Sequence, residues 1–371
     1  MPIQYHYGQF PPKTLDWEKL IPLLGPTSAA IAHYDGILNA IPNANILLSP
    51  LTTHEAVLSS RIEGTQATMG EVLKYEASGD INQYTPSRRD DIFEIINYRK
   101  AMYEAEKLSL TLPLSQRFIK TIHKILLSGV RGKNKAPGEY RKIPNWIGPH
   151  GCTIDEAYFI PISADKLQEG MNLWENFIHD KFLDVLVQLA ILHVELESLH
   201  PFLDGNGRLG RIFVPLFLWQ KKVISKPTFY ISAIFERDRA TYYDKLRGVS
   251  ENLLWTEWCI YFLQSMKIQA EENANKAKSI LNLYEEMKNR LPLVLSSQYV
   301  IQALDWIFKT PIFSGSIFVH QSGIPDATSR RILPILVKEN ILKIIEQGRG
   351  RRASLYCFPK LLNLAEGYEC F

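Results

Sequence analysis

The chain gathers its chemistry-bearing side chains in twelve residues, His200-Pro201-Phe202-Leu203-Asp204-Gly205-Asn206-Gly207-Arg208-Leu209-Gly210-Arg211. His200 is the one group here whose unperturbed pKa lies near neutrality, which makes it the candidate general base. Gly205 and Gly207 permit close backbone approach, and free N–H groups of a helix opening there would form an anion site. Arg208 and Arg211 lie three apart and so share a helical face, where paired guanidiniums suit phosphate oxygens. Asp204 is out of place in a purely anionic cradle unless a Mg²⁺ bridges its carboxylate to the phosphates. Together these groups describe transfer of a nucleotide phosphate to an acceptor whose proton His200 removes. Which phosphorus is attacked stays open.

Two helices must hold this loop. Upstream, Phe182, Val185, Leu186, Leu189, His193 and Leu196 recur at helical spacing, and Pro201 disfavours the α region at His200, so that helix ends there. Downstream, Leu209, Ile212, Phe213 and Leu216 resume the period, and a second helix opens near Gly205 to Arg208. Three rival readings are weaker. Gly205 to Gly210 matches G-x-G-x-x-G, but that dinucleotide motif needs a preceding strand. His193, Glu197 and His200 lack the order of a helical zinc site. A plain polar turn between helices has little need of a histidine, an aspartate and two arginines at this density.

At 371 residues the chain has room for two or three domains. Its 46% hydrophobic and 22% charged residues are ordinary for a globular protein, and a net charge of +3 does not by itself imply nucleic acid. Cys152, Cys259, Cys357 and Cys370 are scattered, without metal or disulfide spacing. Neither a signal core nor an apolar run of membrane-spanning length is present, so a cytoplasmic protein with no membrane partner is expected.

The loop resembles the Fic family motif H-P-F-x-D/E-G-N-G/K-R-x-x-R at every defined position. That resemblance implies an all-helical catalytic core and transfer of AMP from ATP to a protein hydroxyl, with pyrophosphate leaving. On this likeness His200 is the base, Phe202 anchors the loop, and Asp204 holds Mg²⁺. Gly205, Asn206, Gly207, Arg208, Leu209, Gly210 and Arg211 bind ATP, and attack falls on the α-phosphorus. Earlier in the chain, Ser59-Ser60-Arg61-Ile62-Glu63-Gly64 reads on its own as an ordinary helix end, with Gly64 the stop. It also looks like the inhibitory motif S/T-x-x-x-E-G/N, in which Ser59, Glu63 and Gly64 match and Glu63 pairs with Arg211 in place of the γ-phosphate. A glutamate at a helix C-terminus is electrostatically unfavourable, and a partner arginine would explain it.

Around these motifs the periodicity predicts helices over 28–41, 52–64, 68–78, 91–108, 115–128, 164–180, 183–199, 208–222 and 239–264. Thr52 or Thr53 is the expected N-cap of the second. Residues 1–25 are expected to wrap the core as extended chain. Arg131 to Gly138 form a basic loop, and 140–162 read as a β-hairpin. By resemblance this hairpin is a flap whose Ala157, Tyr158, Phe159 and Ile160 hold the target by strand addition. Tyr242 and Tyr243 read as core aromatics; the resemblance places them near the nucleoside, although Ser250 stands where some relatives carry asparagine.

The expected layout is an N-terminal helical region (1–110) with the 59–64 motif, a Fic core (111–263), a polar linker helix (264–290) and a winged helix-turn-helix domain (291–371). The fold class is thus all-α with a hairpin flap, plus that last domain. Its third helix, 326–340, opens on Asp326 as N-cap and carries Arg330 and Arg331; Gly348 to Arg352 form a basic wing tip. Such a module could contact DNA or a protein. The resulting expectation is an autoinhibited adenylyltransferase acting on a Ser, Thr or Tyr hydroxyl of an unidentified protein, itself included, with homodimerisation left open. The alternatives are a nucleotide-sensing DNA-binding regulator, for which an intact His200 would be superfluous, and removal of AMP from a modified protein.

Overall fold

The computed structural model describes residues 1–371 except Pro42, Val130, His150 and Arg351, and leaves the side chains of Ala44, Asn45, Arg131 and Lys133 undescribed. Arg131 and Lys133 of the expected basic loop, and Arg351 of the wing tip, are therefore outside the described side chains. In chain order the elements begin with β1 (Ile3–Gln4), α1 (Trp17–Ala40), α2 (Ala44–Leu47), α3 (Ser49–Ile62), α4 (Met69–Ser78), α5 (Pro86–Ser109) and α6 (Gln116–Leu126). Next come β2 (Phe159–Ile160), α7 (Leu167–His179), α8 (Val185–Leu199), α9 (Asn206–Gln220), α10 (Ser232–Arg237), α11 (Arg239–Asn252) and α12 (Trp255–Val294). The last are α13 (Val300–Lys309), β3 (Ile312–Ser314), α14 (Gly315–Gln321), α15 (Asp326–Lys338), β4 (Lys343–Glu346), β5 (Leu355–Cys357) and α16 (Pro359–Glu366). The protein is mostly helical.

These elements make two compact units, each drawn from several stretches of chain: Met1–Asp35, Leu58–Thr65 and Ile96–Glu271 in the first, and Gly36–Val57, Gln66–Ile95 and Glu272–Phe371 in the second. The first unit is built around α8. Every residue from Leu186 to Leu196 is buried, Gln188, His193 and Glu195 included, so this helix is buried all round rather than striped. Asp184 caps its start, accepting from the N–H groups of Leu186 and Val187. Two buried indoles donate to its carbonyls: Trp174 to Leu192 at 2.9 Å and Trp258 to Ala190 at 2.7 Å. α7, α9 and α11 pack on it.

Several expectations are corrected here. α1 begins at Trp17, so only the first sixteen residues are non-helical. Thr52 and Thr53 lie inside α3, where their hydroxyls donate back to the carbonyls of Leu48 and Ser49, and neither caps it. The run 239–264 is not one helix: Leu253 adopts a left-handed conformation (φ 55°) and separates α11 from α12. The polar stretch 264–290 is then the continuation of the forty-residue α12.

The hairpin expected over 140–162 is reduced to a single antiparallel bridge, Ile147 to Phe159, with N–H···O distances of 2.9 and 3.1 Å. Pro144, Pro149 and Pro161 offer no N–H to a longer ladder. Thr153 and Glu156 close the turn as a capping box. The other edge of β2 pairs in parallel with β1, Ile3 opposite Phe159 and Gln4 opposite Ile160. Chain around β1 is pinned by a buried network: Glu195 of α8 accepts from the Tyr5 hydroxyl at 2.6 Å and from His6 Nε2 at 2.8 Å.

In the second unit, α13, α14 and α15 accompany an antiparallel sheet of order β3-β5-β4. The expected third helix, 326–340, is α15; β3, which was not expected, is three residues long and runs directly into α14. Asp326 is the first helical residue of α15 and does not cap it; Pro325 precedes it without a side-chain bond. Arg330 and Arg331 are exposed, as is Arg352 of the expected wing tip, which is ion-paired with Asp80.

Candidate active site

α8 ends because His200 takes a left-handed conformation (φ 46°, ψ 59°), as the following proline favours leaving the α region. Its Nδ1–H donates to the Glu197 carbonyl at 3.3 Å, which leaves the Nε2 lone pair to the cavity. Burial lowers its pKa to about 4, so the imidazole is neutral at pH 7 and able to take a proton. The loop beyond is folded on Phe202, which is fully buried and stacked on His123 with ring centroids 3.7 Å apart. Asn206 latches it: its Oδ1 accepts from Phe202 N–H and its Nδ2 donates to Phe202 O, both at 2.9 Å. The asparagine side chain is thus spent on shaping the loop. Its expected ligand role would fall to the backbone.

α9 opens at Gly205, a left-handed cap (φ 80°) that suits glycine. Arg208 reaches back to Asp204 Oδ1 at 3.1 Å. Arg211 is buried, with side-chain exposure of 1%, and Ser59 receives its Nε at Oγ and its Nη2 at the backbone oxygen, each at 2.8 Å. Arg211 Nη2 also meets Glu63 Oε1 at 2.7 Å. Burial alone would raise the Glu63 pKa, but the charge and hydrogen bond of Arg211, aided by Arg208 and His200, hold it below the usual range. Gly64 (φ 104°) ends the segment just after α3. A methyl group at Gly207 would overlap Glu63 Oε1 and come within 3.0 Å of Arg211 Nη1. The Glu63 carboxylate therefore sits over the helix N-terminus, in the place an anion would take.

Of these groups Glu63, His200, Gly207 and Arg211 line a cavity of 770 Å³, together with Glu197, Tyr242 and Tyr243, whereas Ser59, Gly64, Asp204, Gly205, Asn206 and Arg208 are not among its walls. Tyr158 and Phe159 of the flap also line it, while Ala157 and Ile160 do not. Leu209 and Gly210 are corrected: Leu209 is buried in the core, and Gly210 gives room to Glu197, whose Oε1 would lie 2.5 Å from a Cβ there. Neither faces the cavity. Tyr242 is both core and wall; its hydroxyl meets His193 Nε2 at 2.9 Å and its ring stacks on Phe235. Tyr243 is the more open of the pair, with Arg239 over its ring at 5.6 Å. Ser250 is committed to His6 Nδ1 at 2.8 Å.

Sequence reasoning missed four contributors. Arg239 and Arg247 line the cavity wall from α11. His123 accepts from Gly138 N–H at Nδ1 and donates from Nε2 to the Asp204 carbonyl at 2.9 Å. A histidine on the apolar face of α6 was its only sequence signal. Glu197 is the fourth: burial, opposed by Arg211 and aided by Glu63, raises its pKa to about 7, and its Oε1 lacks a partner among the described residues. Among the described residues no cluster of three metal-ligating side chains occurs. A cation here would take one carboxylate, Asp204, and fill its shell with phosphate oxygens and water, a donor set that fits Mg²⁺.

Two family models match in tandem: Fic/DOC family N-terminal over residues 21–107 and Fic/DOC family over residues 113–218. The chain belongs to the Fic/DOC family. A probable protein adenylyltransferase from Aquifex aeolicus is 25% identical over 213 residues, 56% of this chain and 58% of that protein. The protein adenylyltransferase Fic of Drosophila melanogaster is 31% identical over 81 residues, 22% of this chain and 15% of that protein. The chain thus spans less than two-thirds of these Fic relatives. In fold it resembles the crystal structure of a Fic family protein from Desulfovibrio desulfuricans, with TM-score 0.58, 18% identity and coverage of 94% and 98%. A Fic domain containing signaling protein from Bacteroides thetaiotaomicron gives TM-score 0.56 at 17% identity, covering 69% and 97%. No helix among the described residues is long and apolar enough to cross a membrane.

Proposed function

We propose that this Fic protein is a protein adenylyltransferase held inactive by its own Glu63. The observation that carries the reading is the Glu63–Arg211 pair, seated over Gly207 at the mouth of α9 and facing a neutral His200. A carboxylate and a terminal phosphate would compete for the same guanidinium and the same N–H groups. With Glu63 withdrawn, the triphosphate lies along the loop and Arg211 takes its distal end. Asp204 would hold Mg²⁺, which when bound neutralises phosphate charge. His200 Nε2 accepts the proton of a target hydroxyl; the hydroxyl oxygen bonds to the α-phosphorus, and the α–β bridging bond breaks to release pyrophosphate. ATP as donor is supported by the relatives that bear the adenylyltransferase name. Tyr158 and Phe159 would present the hydroxyl-bearing segment.

The experiment is incorporation of label from α-labelled ATP into protein by the Glu63→Gly chain, with a Glu63→Gly, His200→Ala chain alongside. Transfer lost and nucleotide binding retained supports the base assignment. Transfer that survives the substitution refutes it.

A further inference from the structure

Arg141 is 3% exposed, yet its partners are all backbone carbonyls rather than carboxylates. Its Nε donates to His200 O at 2.9 Å and its Nη2 to Leu199 O at 3.2 Å. The same Nη2 donates to Ile162 O, and the Arg141 backbone N–H donates to Pro201 O at 2.9 Å. One residue thus holds three consecutive carbonyls, 199 to 201, at the C-terminus of α8, where the left-handed His200 turn leaves them without helical partners. A buried cation at a helix C-terminus is favoured by the helix dipole, and only a planar fork can serve acceptors in these separate directions. The desolvation is severe, enough to lower the Arg141 pKa to about 10. Arg141 and Ile162 also stand at the two ends of the segment that carries the Ile147–Phe159 bridge, so the guanidinium ties both limbs of the flap to the turn that bears the base.

We propose that Arg141 is a positioning residue: it fixes the His200 turn and couples the flap to it, so that base and bound hydroxyl are presented as one rigid set. The proposal rests on the reading of His200 as base. Misplacement of a base by about 1 Å can lower turnover about a hundredfold without touching the anion cradle. Loss should therefore fall on kcat, while the KM for ATP, set on the Gly207–Arg211 side, stays unchanged.

The test introduces Arg141→Gln and Arg141→Lys, each in the full chain with and without Glu63→Gly. The His200 ring is titrated by NMR in histidine-labelled protein and assigned by comparison with His200→Gln. The charged groups facing that ring are Glu63 from the turn after α3, Asp204 from the loop and Arg141 itself. Arg141→Gln removes a cation and opens the turn to water, so the His200 pKa should climb from about 4 toward the ordinary histidine value. Arg141→Lys keeps the charge without the fork; it should fold where Gln does not, and still lose about a hundredfold in kcat in the Glu63→Gly background. An unchanged His200 titration together with a kcat within twofold of the parent overturns the proposal, whatever happens to thermal stability. If no chain transfers AMP, the adenylyltransferase reading falls, and the titration alone still decides whether Arg141 positions His200.

Discussion

Gly207→Ala separates the local claim about Glu63 from every claim about catalysis. Gly207 lies in the first turn of α9 with ordinary helical geometry, so alanine there is conformationally better than glycine by up to about 1 kcal/mol. The added methyl overlaps Glu63 Oε1 and stands 3.2 Å from the carboxyl carbon, so the carboxylate must leave its 2.7 Å contact with Arg211. Arg211 keeps both acceptors from Ser59, and Glu63 retains 32% side-chain exposure, so the loss is that of one charged hydrogen bond, about 2 kcal/mol. The net expectation is destabilisation by about 1 kcal/mol in the parent chain. In a Glu63→Ala background no carboxylate remains to collide, and the same substitution should be neutral or stabilising by up to about 1 kcal/mol. Urea unfolding followed by tryptophan fluorescence, on the four chains of this cycle, reads the difference as a coupling of about 2 kcal/mol. Equal effects of Gly207→Ala in both backgrounds would show that Glu63 does not lie over the helix N-terminus.

Three further outcomes are expected. A Glu197 carboxyl with its pKa raised to about 7 binds its proton more tightly folded than unfolded. Stability therefore falls as pH rises from the ordinary glutamate range through about 7; Glu197→Gln should remove that decline, so its advantage at pH 8 shrinks to nothing at pH 4 in thermal melts. His123→Ala removes the ring stacked on Phe202 and the bond to the Asp204 carbonyl, and should destabilise the chain by about 2–4 kcal/mol in denaturant titrations. Asp204→Asn should abolish the Mg²⁺ dependence of ATP affinity measured calorimetrically in the Glu63→Gly chain while leaving the Mg²⁺-free affinity intact.

What could be read without coordinates was local. His200 to Arg211 carries its own turn, its own cap and its own charges, so helix end, loop and helix start follow from Pro201, Gly205 and the apolar spacing on either side. The Glu63–Arg211 contact spans 148 positions and was reached only through a resemblance. Arg141 gave no local sign, and His123 and Glu197 none of the roles they take, because each acquires its role from a carbonyl or a side chain on another element. The hairpin was over-read because its alternating apolar residues are interrupted by prolines, and its ladder partner, Ile3–Gln4, lies more than 150 residues upstream. The fused α11–α12 pattern failed for a different reason: one left-handed leucine breaks a helix without disturbing the apolar period.

The central claim is that Glu63 occupies the anion site of a working transferase whose base is His200. The measurement that tests it most directly is AMP incorporation from α-labelled ATP with Mg²⁺ by three chains: the parent, Glu63→Gly, and Glu63→Gly combined with His200→Ala. Strong labelling by Glu63→Gly alone is the predicted result. Equal labelling by the parent and Glu63→Gly would contradict the inhibitory role, and labelling by the double variant would contradict the base.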